Sequence, residues 1–294
     1  MRIGVFDQYE SVDRLVASAR DAASRGFGSF WVPQIFGLDA ITALAVVAHE
    51  VPTIEIGTAV VPTYPRHPMM MAAQSLTLQQ ISGGRFTLGI GLSHQIVIDS
   101  MLGMSFDKPV RHLREYLSIL IPLLQGEASD FSGETLTAKL SLSIPDAPPV
   151  PVLVAALGRQ MLKVAGTRTE GTITWMTGPA TIESHVGPAI REAAAAAERP
   201  EPRIVAALPV CVTDDPDAER ERAAKIFAMY GYLPSYRAML DLEGVEGPAN
   251  VAIVGDEATV VAGIERIRDA GATDFVAVPF ANRDLTLDVV ASLL

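Results

Sequence analysis

Residues 57–68 read Gly57-Thr-Ala-Val-Val-Pro-Thr-Tyr-Pro-Arg-His-Pro68 and form the most unusual stretch of the chain. The stretch begins like a buried strand and then carries three prolines, with Arg66 and His67 in front of the last one. Proline fixes its own φ angle and pushes the residue before it towards extended backbone, so this strand end is stiff. Pro68 also suits the first turn of a helix. We interpret residues 57–68 as a rigid strand-to-helix connection, which serves either stability alone or a site at the strand end.

The same order of strand and then helix recurs along the whole chain. Apolar runs predict eight strands, each followed by a helical pattern, at 2–6, 29–32, 54–60, 86–90, 150–155, 171–175, 203–212 and 274–278. Residues 126–149 and 229–250 fall outside this repeat, and no linker-like segment divides the chain. These features predict one α/β domain over residues 1–294, a single (β/α)8 TIM barrel with insertions after strands 4 and 7. A doubly wound sheet is the alternative, although no GxGxxG follows the first strand.

Composition narrows the classes of function. The chain carries 34 acidic and 23 basic residues, a formal charge of -11, which argues against a nucleic-acid partner. Its single cysteine, Cys211, excludes an intramolecular disulfide and makes a cysteine-based metal site improbable. We see neither a leader-like start nor an apolar run long enough to cross a membrane. We therefore expect a cytoplasmic protein with no membrane or metal partner.

In barrels of this kind the active site lies at the carboxyl ends of the strands. Here those ends are mostly small and apolar, and none carries the paired carboxylates of a glycosidase, a cluster of metal ligands or a lysine for Schiff-base chemistry. The protein supplies few reactive groups of its own. A bound cofactor that carries the reaction would fit this composition.

Three stretches together resemble the bacterial luciferase-like superfamily, and most closely its branch that uses the deazaflavin coenzyme F-420. They are residues 57–68, the run 82–94 (Ser-Gly-Gly-Arg-Phe-Thr-Leu-Gly-Ile-Gly-Leu-Ser-His) and the segment 255–272. The resemblance covers most of the chain. It implies a barrel that binds a flavin-like ring at its mouth and an enzyme that passes a hydride between that ring and a small organic substrate.

The resemblance also implies roles for particular residues. By position, the non-proline cis peptide that backs the cofactor ring in that family would be Ala59-Val60, and His94 stands where some members carry an acidic proton donor. The residues that would bind the cofactor are Gln34, Ala59, Val60, Arg66, Ala156, Leu157, Gly158, Trp175, Met176, Thr177 and Gly178. Among them, the amides of 156–158 would meet the phosphate, and either Trp175 or Met176 would lie near the ring or its tail.

The chain departs from the family pattern after the second strand. Deazaflavin-dependent sugar-phosphate dehydrogenases have an Asp-His pair there, whereas this chain has Pro33-Gln34. Glutamine cannot accept a proton at neutral pH, so we favour reduction of an activated C=C or C=N bond over alcohol oxidation. The proton would come from His94 or from water.

Three hypotheses about function stay open at this point. The first is an F-420-dependent oxidoreductase, the second is a flavin mononucleotide (FMN) monooxygenase of the same superfamily, and the third is a non-catalytic flavin-binding protein. The glutamate tail of F-420 would favour a cation outside the pocket, such as Arg66, Arg159 or Arg283. Tyr230 and Tyr236, with Tyr232 between them, could form a lid or a dimer contact, and we expect a homodimer.

Overall fold

The repeat of strands and helices closes into a barrel in the computed structural model, which describes residues 1–294. The strands are β1 Arg2–Phe6, β2 Ser29–Val32, β3 Glu55–Thr58, β4 Val61–Pro62, β5 Phe86–Gly91, β6 Ser129–Ser132, β7 Thr137–Leu140, β8 Val152–Val154, β9 Gly171–Trp175, β10 Arg203–Val212, β11 Ile253–Gly255 and β12 Asp274–Pro279. The helices are α1 Val12–Ser24, α2 Ala40–Glu50, α3 Pro68–Ser82, α4 Pro109–Leu124, α5 Arg159–Arg168, α6 Pro179–Thr181, α7 Gly187–Ala196, α8 Pro216–Ile226, α9 Pro234–Glu243, α10 Glu257–Asp269 and α11 Arg283–Ala291. Short π-helical turns cover Ile96–Met101 and Ile182–Val186, and 3-10 turns cover Ala228–Gly231 and Pro248–Asn250.

Eight parallel strands form the barrel wall, in the order β1, β2, β3, β5, β8, β9, β10 and β12. Strand β12 pairs with both β10 and β1, which closes the wall. Strand β11 pairs with the carboxyl end of β10. Strand β4, which follows β3, pairs with the carboxyl end of β5. The closed wall confirms the predicted (β/α)8 barrel and excludes the doubly wound sheet, which would have two open edges.

Local signals in the sequence fix the starts and ends of several helices. Asp39 accepts a hydrogen bond from the Thr42 backbone N–H at 2.9 Å and so caps α2, and Asp215 and Asp256 cap α8 and α10 in the same way. Gly83 ends α3 with a left-handed φ of 63°. Each of these positions carries a residue type that is typical of a helix start or stop.

The barrel interior is layered. At the amino ends of the strands, Arg203 binds the carboxylates of Glu55 at 2.9 Å and Asp274 at 2.6 Å. Above this ion-pair layer lies an apolar cluster around Trp31, which is fully buried. Gly57 is required here, since a Cβ atom at this position would lie 2.3 Å from the Trp31 ring. Trp31 is therefore a core residue, and the open end of the barrel lies at the opposite, carboxyl ends of the strands.

The two predicted insertions differ in where they lie. The first forms the β6–β7 hairpin, whose turn is held by the Glu115 carboxylate of α4 through the N–H groups of Glu134, Thr135 and Leu136. The second contains α9, a helix that the periodicity analysis missed although Pro234 and Gly244 mark its start and end. None of the helices is both long and apolar enough to span a bilayer.

Candidate active site

The carboxyl ends of the barrel strands meet at one end of the barrel, which we call the mouth. Phe6, Ala59, Val60, Trp175 and Val278 pack as a partly buried layer on top of the Trp31 cluster. The rings of Phe6 and Trp175 are stacked, with centroids 6.3 Å apart and planes within 14°. The mouth therefore has a flat, apolar floor.

The exit of β3 is irregular in the way that the family resemblance implies. The Ala59-Val60 peptide bond is cis, and β4 resumes pairing with β5 immediately after it. Two glycines of β5 make room for this turn, because a Cβ atom at Gly89 would lie 1.9 Å from the Thr58 carbonyl oxygen and one at Gly91 would lie 2.6 Å from the Val60 side chain. The Thr58 hydroxyl also donates to the Gly89 carbonyl at 2.8 Å. The alternating glycines of β5 thus hold the rear wall of the mouth close to the sheet.

Helix α4 holds the proline-rich loop that follows. The His112 Nε2 atom lies 3.0 Å from the Thr63 hydroxyl, and the His112 ring stacks on Tyr64 with centroids 3.9 Å apart. Tyr116 donates its hydroxyl hydrogen to the Arg66 carbonyl at 2.9 Å. Burial lowers the pKa of His112 to about 4, so its imidazole is neutral at pH 7. The loop is therefore fixed from outside the barrel as well as by its own prolines.

Two predicted cofactor-binding residues are partly engaged with the start of α2. The Arg66 guanidinium binds the Asp39 carboxylate, and the Gln34 side-chain oxygen accepts a hydrogen bond from the Ala40 N–H at 2.7 Å. Burial raises the pKa of Asp39, but the hydrogen bonds from Thr42 and Arg66 outweigh it, so the pKa is lowered overall. The Arg66 Nη1 atom is buried with no hydrogen-bond partner. Arg66 and Gln34 therefore each keep only part of their hydrogen-bonding capacity free for a ligand.

His94 is half-buried just beyond the end of β5. Burial lowers the pKa of its imidazole, and its ring lies 5.8 Å from that of Tyr236, centroid to centroid. Asp7, the acid at the end of β1, is already engaged, since its carboxylate accepts hydrogen bonds from Ser18 at 2.5 Å and from Arg283 at 2.8 Å. His94, in contrast, takes part in no ion pair and is free to exchange a proton.

The exit of β8 leads into a helix start that no side chain caps. Gly158 precedes α5 without a side-chain hydrogen bond to its first amides. The Ala156 N–H donates to the Thr172 hydroxyl at 3.3 Å, and the Leu157 carbonyl accepts from His185 at 2.8 Å, which fixes the backbone on either side of the turn. Such an exposed helix start with fixed geometry fits a phosphate group.

The segment after β9 differs, because a carboxylate of the protein already binds the backbone amides at the start of α6. Glu243, at the end of α9, accepts hydrogen bonds from the N–H groups of Ala180 at 3.1 Å and Thr181 at 2.7 Å. Gly178 lies directly beside this carboxylate, and Thr177 is buried with its hydroxyl donating to the Trp175 carbonyl. Met176 is fully buried in the main core. Of the two side chains predicted near the cofactor ring, Trp175 is therefore the one in the floor of the mouth.

Residues 227–243, which we call the lid, contact the mouth. Phe227 packs edge-on against Trp175 and Phe280, with centroids 5.8 Å apart in both pairs. Tyr230 also meets Trp175 at 5.8 Å, and Tyr236 joins Tyr230 to His94. The Trp175 indole N–H is buried beside the Tyr230 hydroxyl without the geometry of a hydrogen bond. Of the two roles left open for these tyrosines, the contacts favour the lid.

Sequence reasoning missed two contributors to this site, Glu243 and Phe227. Glu243 lies in the unpredicted helix α9, and the approach of Phe227 to the mouth depends on how the lid folds. The aromatic content of residues 227–236 was the one available signal. No group of three or more His, Cys, Asp or Glu side chains is arranged to hold a metal ion.

Comparison with known proteins gives a family match. The profile of the luciferase-like monooxygenase family matches residues 1–274. Among curated proteins, 5,10-methylenetetrahydromethanopterin reductase of Methanolobus tindarius is 28% identical over 261 residues, which cover 87% of this chain and 78% of the relative.

Solved structures share the fold. The coenzyme F-420-dependent tetrahydromethanopterin reductase from Methanopyrus kandleri superposes with a TM-score of 0.83 at 22% identity, over 99% of this chain and 97% of that one. The oxygenating constituent of 3,6-diketocamphane monooxygenase from Pseudomonas putida, solved with FMN, has a TM-score of 0.79 at 18% identity, over 99% and 96% of the two chains. At these identities the structural matches show a common fold.

Proposed function

The chain belongs to the luciferase-like monooxygenase family of enzymes, and from this membership we propose that it is an oxidoreductase that transfers a hydride between coenzyme F-420 and a small organic substrate. We further propose that the reaction runs towards reduction of an activated C=C or C=N bond. The reductase from Methanolobus tindarius and the F-420-dependent reductase from Methanopyrus kandleri support this choice.

The residues at the mouth fit a cofactor with a flat ring and a phosphate. The floor of Phe6 and Trp175 and the wall at Ala59-Val60 suit the ring, while Leu157 and Gly158 before the uncapped start of α5 suit the phosphate. The Ala156 amide, which was expected to join them, is buried and already donates to Thr172. Arg159, exposed at the first position of α5, would meet an anionic tail beyond it. When bound, reduced F-420 supplies the hydride that the side chains of this chain cannot supply.

The contribution of the protein itself is to orient the substrate, exclude water and provide a proton. Reduction of an activated C=C bond adds a hydride, which the bound cofactor would supply, to one carbon and a proton to the other. His94 would donate that proton from a ring nitrogen and then take up a proton from the solvent. Because burial lowers the pKa of His94, the protonated donor becomes more abundant as the pH falls.

The side chain that follows β2 favours reduction over alcohol oxidation. An alcohol dehydrogenase needs a base near the hydroxyl group that loses its proton. The corresponding side chain here is Gln34, whose oxygen already accepts a hydrogen bond from Ala40. One observation carries the proposal as a whole: His94 is a half-buried imidazole just beyond the end of β5 and in contact with Tyr236 of the lid, while Asp7 and Arg66, at other strand ends, are held in ion pairs.

Cofactor titration tests the proposal. Trp31 is buried inside the barrel, so quenching at the mouth should report Trp175, and a Trp175→Phe variant serves as the control. We expect F-420 to quench the fluorescence well below the concentration that FMN requires, and reduced F-420 to be reoxidised when an enone is added. Tighter binding of FMN, together with oxygen consumption, would favour the monooxygenase instead. Binding without hydride exchange to any acceptor would favour a non-catalytic flavin-binding protein.

The single-domain organisation of residues 1–294, the homodimer and the cytoplasmic location stay predictions. Limited proteolysis, light scattering of the purified protein and cell fractionation would test them in turn.

A further inference from the structure

The lid brings several aromatic rings to the mouth of the barrel. Its ring pairs with Trp175 and Phe280 meet edge to face, with interplanar angles between 75° and 83°. Tyr230 and Tyr236 meet at 80° with centroids 5.1 Å apart. The rings therefore line this side of the mouth with aromatic surface, against which a planar apolar group packs more favourably than a polar one.

The cations around this cluster already have anionic partners. Arg66 binds Asp39, and Arg283 binds both Asp7 and Asp21. Within the lid, Arg237 binds Asp241 and the backbone carbonyls of Val245 and Glu246. Burial lowers the pKa of His94, so its imidazole is mostly neutral at pH 7.5. At that pH a carboxylate or phosphate on the substrate would lose its hydration beneath the lid, and these arginines would have to share it with the carboxylates that they already bind, which is unfavourable.

The hydroxyl groups of the lid stay neutral. Burial raises the pKa of both Tyr230 and Tyr236, so neither hydroxyl ionises near pH 7. Together with the buried indole N–H of Trp175, they offer neutral hydrogen-bond donors to a carbonyl oxygen.

Apolar side chains are also exposed on segments that leave the same end of the barrel. Phe36 follows β2 and is 73% exposed, Met101 ends the π-helical turn after His94 and is 62% exposed, and Met229 in the lid is 62% exposed. Isolated exposed apolar residues are ordinary, but on these three segments they add to the apolar character of the rim around the mouth.

We propose that the substrate beneath the lid is an uncharged molecule whose reducible bond is conjugated to a planar, apolar body, such as an aryl-substituted enone. This inference rests on the proposed hydride transfer. It deepens that proposal by naming the class of substrate: the body packs against the lid at Tyr230 and Tyr236, and the unsaturated bond lies towards His94.

Binding to the protein loaded with oxidised F-420 tests this inference without turnover, because the oxidised cofactor has no hydride to give. Three probes separate the features: benzylideneacetone has both ring and neutral enone, pent-3-en-2-one lacks the ring, and cinnamate replaces the ketone by a carboxylate. By calorimetry we expect benzylideneacetone to bind at least about tenfold more tightly than either of the others, a factor of ten being about 1.4 kcal/mol.

Variants of the lid identify where the probe binds. Tyr236→Ala and Phe227→Ala should each weaken benzylideneacetone binding by about tenfold. Tyr236→Leu, which keeps most of the side-chain volume, shows whether the loss comes from the ring or from a collapsed lid. Tyr232→Ala is the matched control, because Tyr232 lies in the same segment but is 85% exposed.

Tighter or equal binding of cinnamate or of pent-3-en-2-one would overturn the inference. An effect of Tyr236→Ala no larger than that of Tyr232→Ala would also overturn it. The cofactor proposal fails separately: if F-420 does not bind but FMN does, the same three probes are titrated against the protein loaded with FMN, and their ranking still decides the substrate class.

Discussion

The imidazole of His94 and the phenol ring of Tyr236 lie with their centroids 5.8 Å apart and their planes tilted by 56°. This contact joins the end of a barrel strand to the lid, two segments that are far apart in the sequence. It places the proposed proton donor under an aromatic cover, where water is partly excluded. Burial accordingly lowers the pKa of His94.

Replacement of this imidazole should affect chemistry and not cofactor binding. We expect His94→Gln to lower the turnover number by about a hundredfold, the range found for loss of a general acid, with no change in the dissociation constant of F-420. Turnover of the unmodified protein should rise as the pH falls below 6.5, because the protonated donor accumulates, and this rise should be absent from the variant. His49→Gln, on the exposed side of α2, is the control. Equal losses of turnover and of cofactor affinity would contradict the role of proton donor.

The hydrogen bonds from the start of α6 to the Glu243 carboxylate should hold the lid in place. A Cβ atom at Gly178 would lie 2.3 Å from the Glu243 carboxyl carbon, so Gly178→Ala should release the lid as Glu243→Ala does. We expect each change to lower the free energy of unfolding by about 1 kcal/mol, as for loss of a helix cap, and to speed hydrogen exchange in residues 227–247. The double variant should lose no more free energy of unfolding than either single variant, because both changes remove the same interaction. Glu246→Ala, which changes an exposed side chain nearby, is the control. Faster hydrogen exchange of the lid in this variant would argue against a specific role for the Glu243 hydrogen bonds.

The buried neutral His112 should make stability depend on pH. Its pKa is about 4 in the folded protein and near 6.5 when unfolded, so the unfolded chain binds more protons between these values. Stability from this group is therefore complete above pH 6.5 and is lost as the pH falls, by about 2 kcal/mol between pH 7 and pH 5. Urea unfolding at the two pH values measures the free energy of unfolding. Between them, His112→Gln should lose less of this free energy than the unmodified protein does, by the amount just given. A variant with the same pH dependence as the unmodified protein would contradict this expectation.

The exposed arginine at the start of α5 should distinguish the two cofactors. Arg159 has no anionic partner among the ion pairs of the chain, in contrast to Arg66 and Arg283. We expect Arg159→Glu to lower the affinity for F-420 relative to FMN by about tenfold at low salt, and the difference to shrink as salt screens the charge. Lys163→Glu is the control, because it makes the same change of charge at an exposed position one turn further along α5. An equal effect at both positions would point to net charge and not to a contact with the tail.

Much of the barrel could be predicted from local patterns. The bounds of β1, β2, β9 and β10 agree with the predicted strands, and Asp39, Asp215 and Asp256, whose residue type favours helix caps, cap α2, α8 and α10. These signals act over a few residues, because apolar alternation and capping depend only on neighbours along the chain. The cis bond at Ala59-Val60 came from the family resemblance and was found at the expected position.

The partners of the site residues could not be predicted in the same way. The sequence suggested Arg66 for the cofactor tail but could not show that Asp39 engages it, and it gave His112 no role although that ring holds the loop at Thr63 and Tyr64. Trp175 and Met176 were alternatives until the backbone directed one into the mouth and the other into the core.

The sequence by itself determined the class of fold, the order of its strands and the stiff, proline-rich exit at residues 57–68, because each of these depends on backbone preferences and on the spacing of apolar residues. Only the tertiary structure decided what surrounds that exit. Barrel closure brings the glycines of β5 behind Ala59-Val60, α4 beside the proline loop and the lid over His94. Those contacts join segments distant in sequence, and their geometry depends on the closed barrel as a whole.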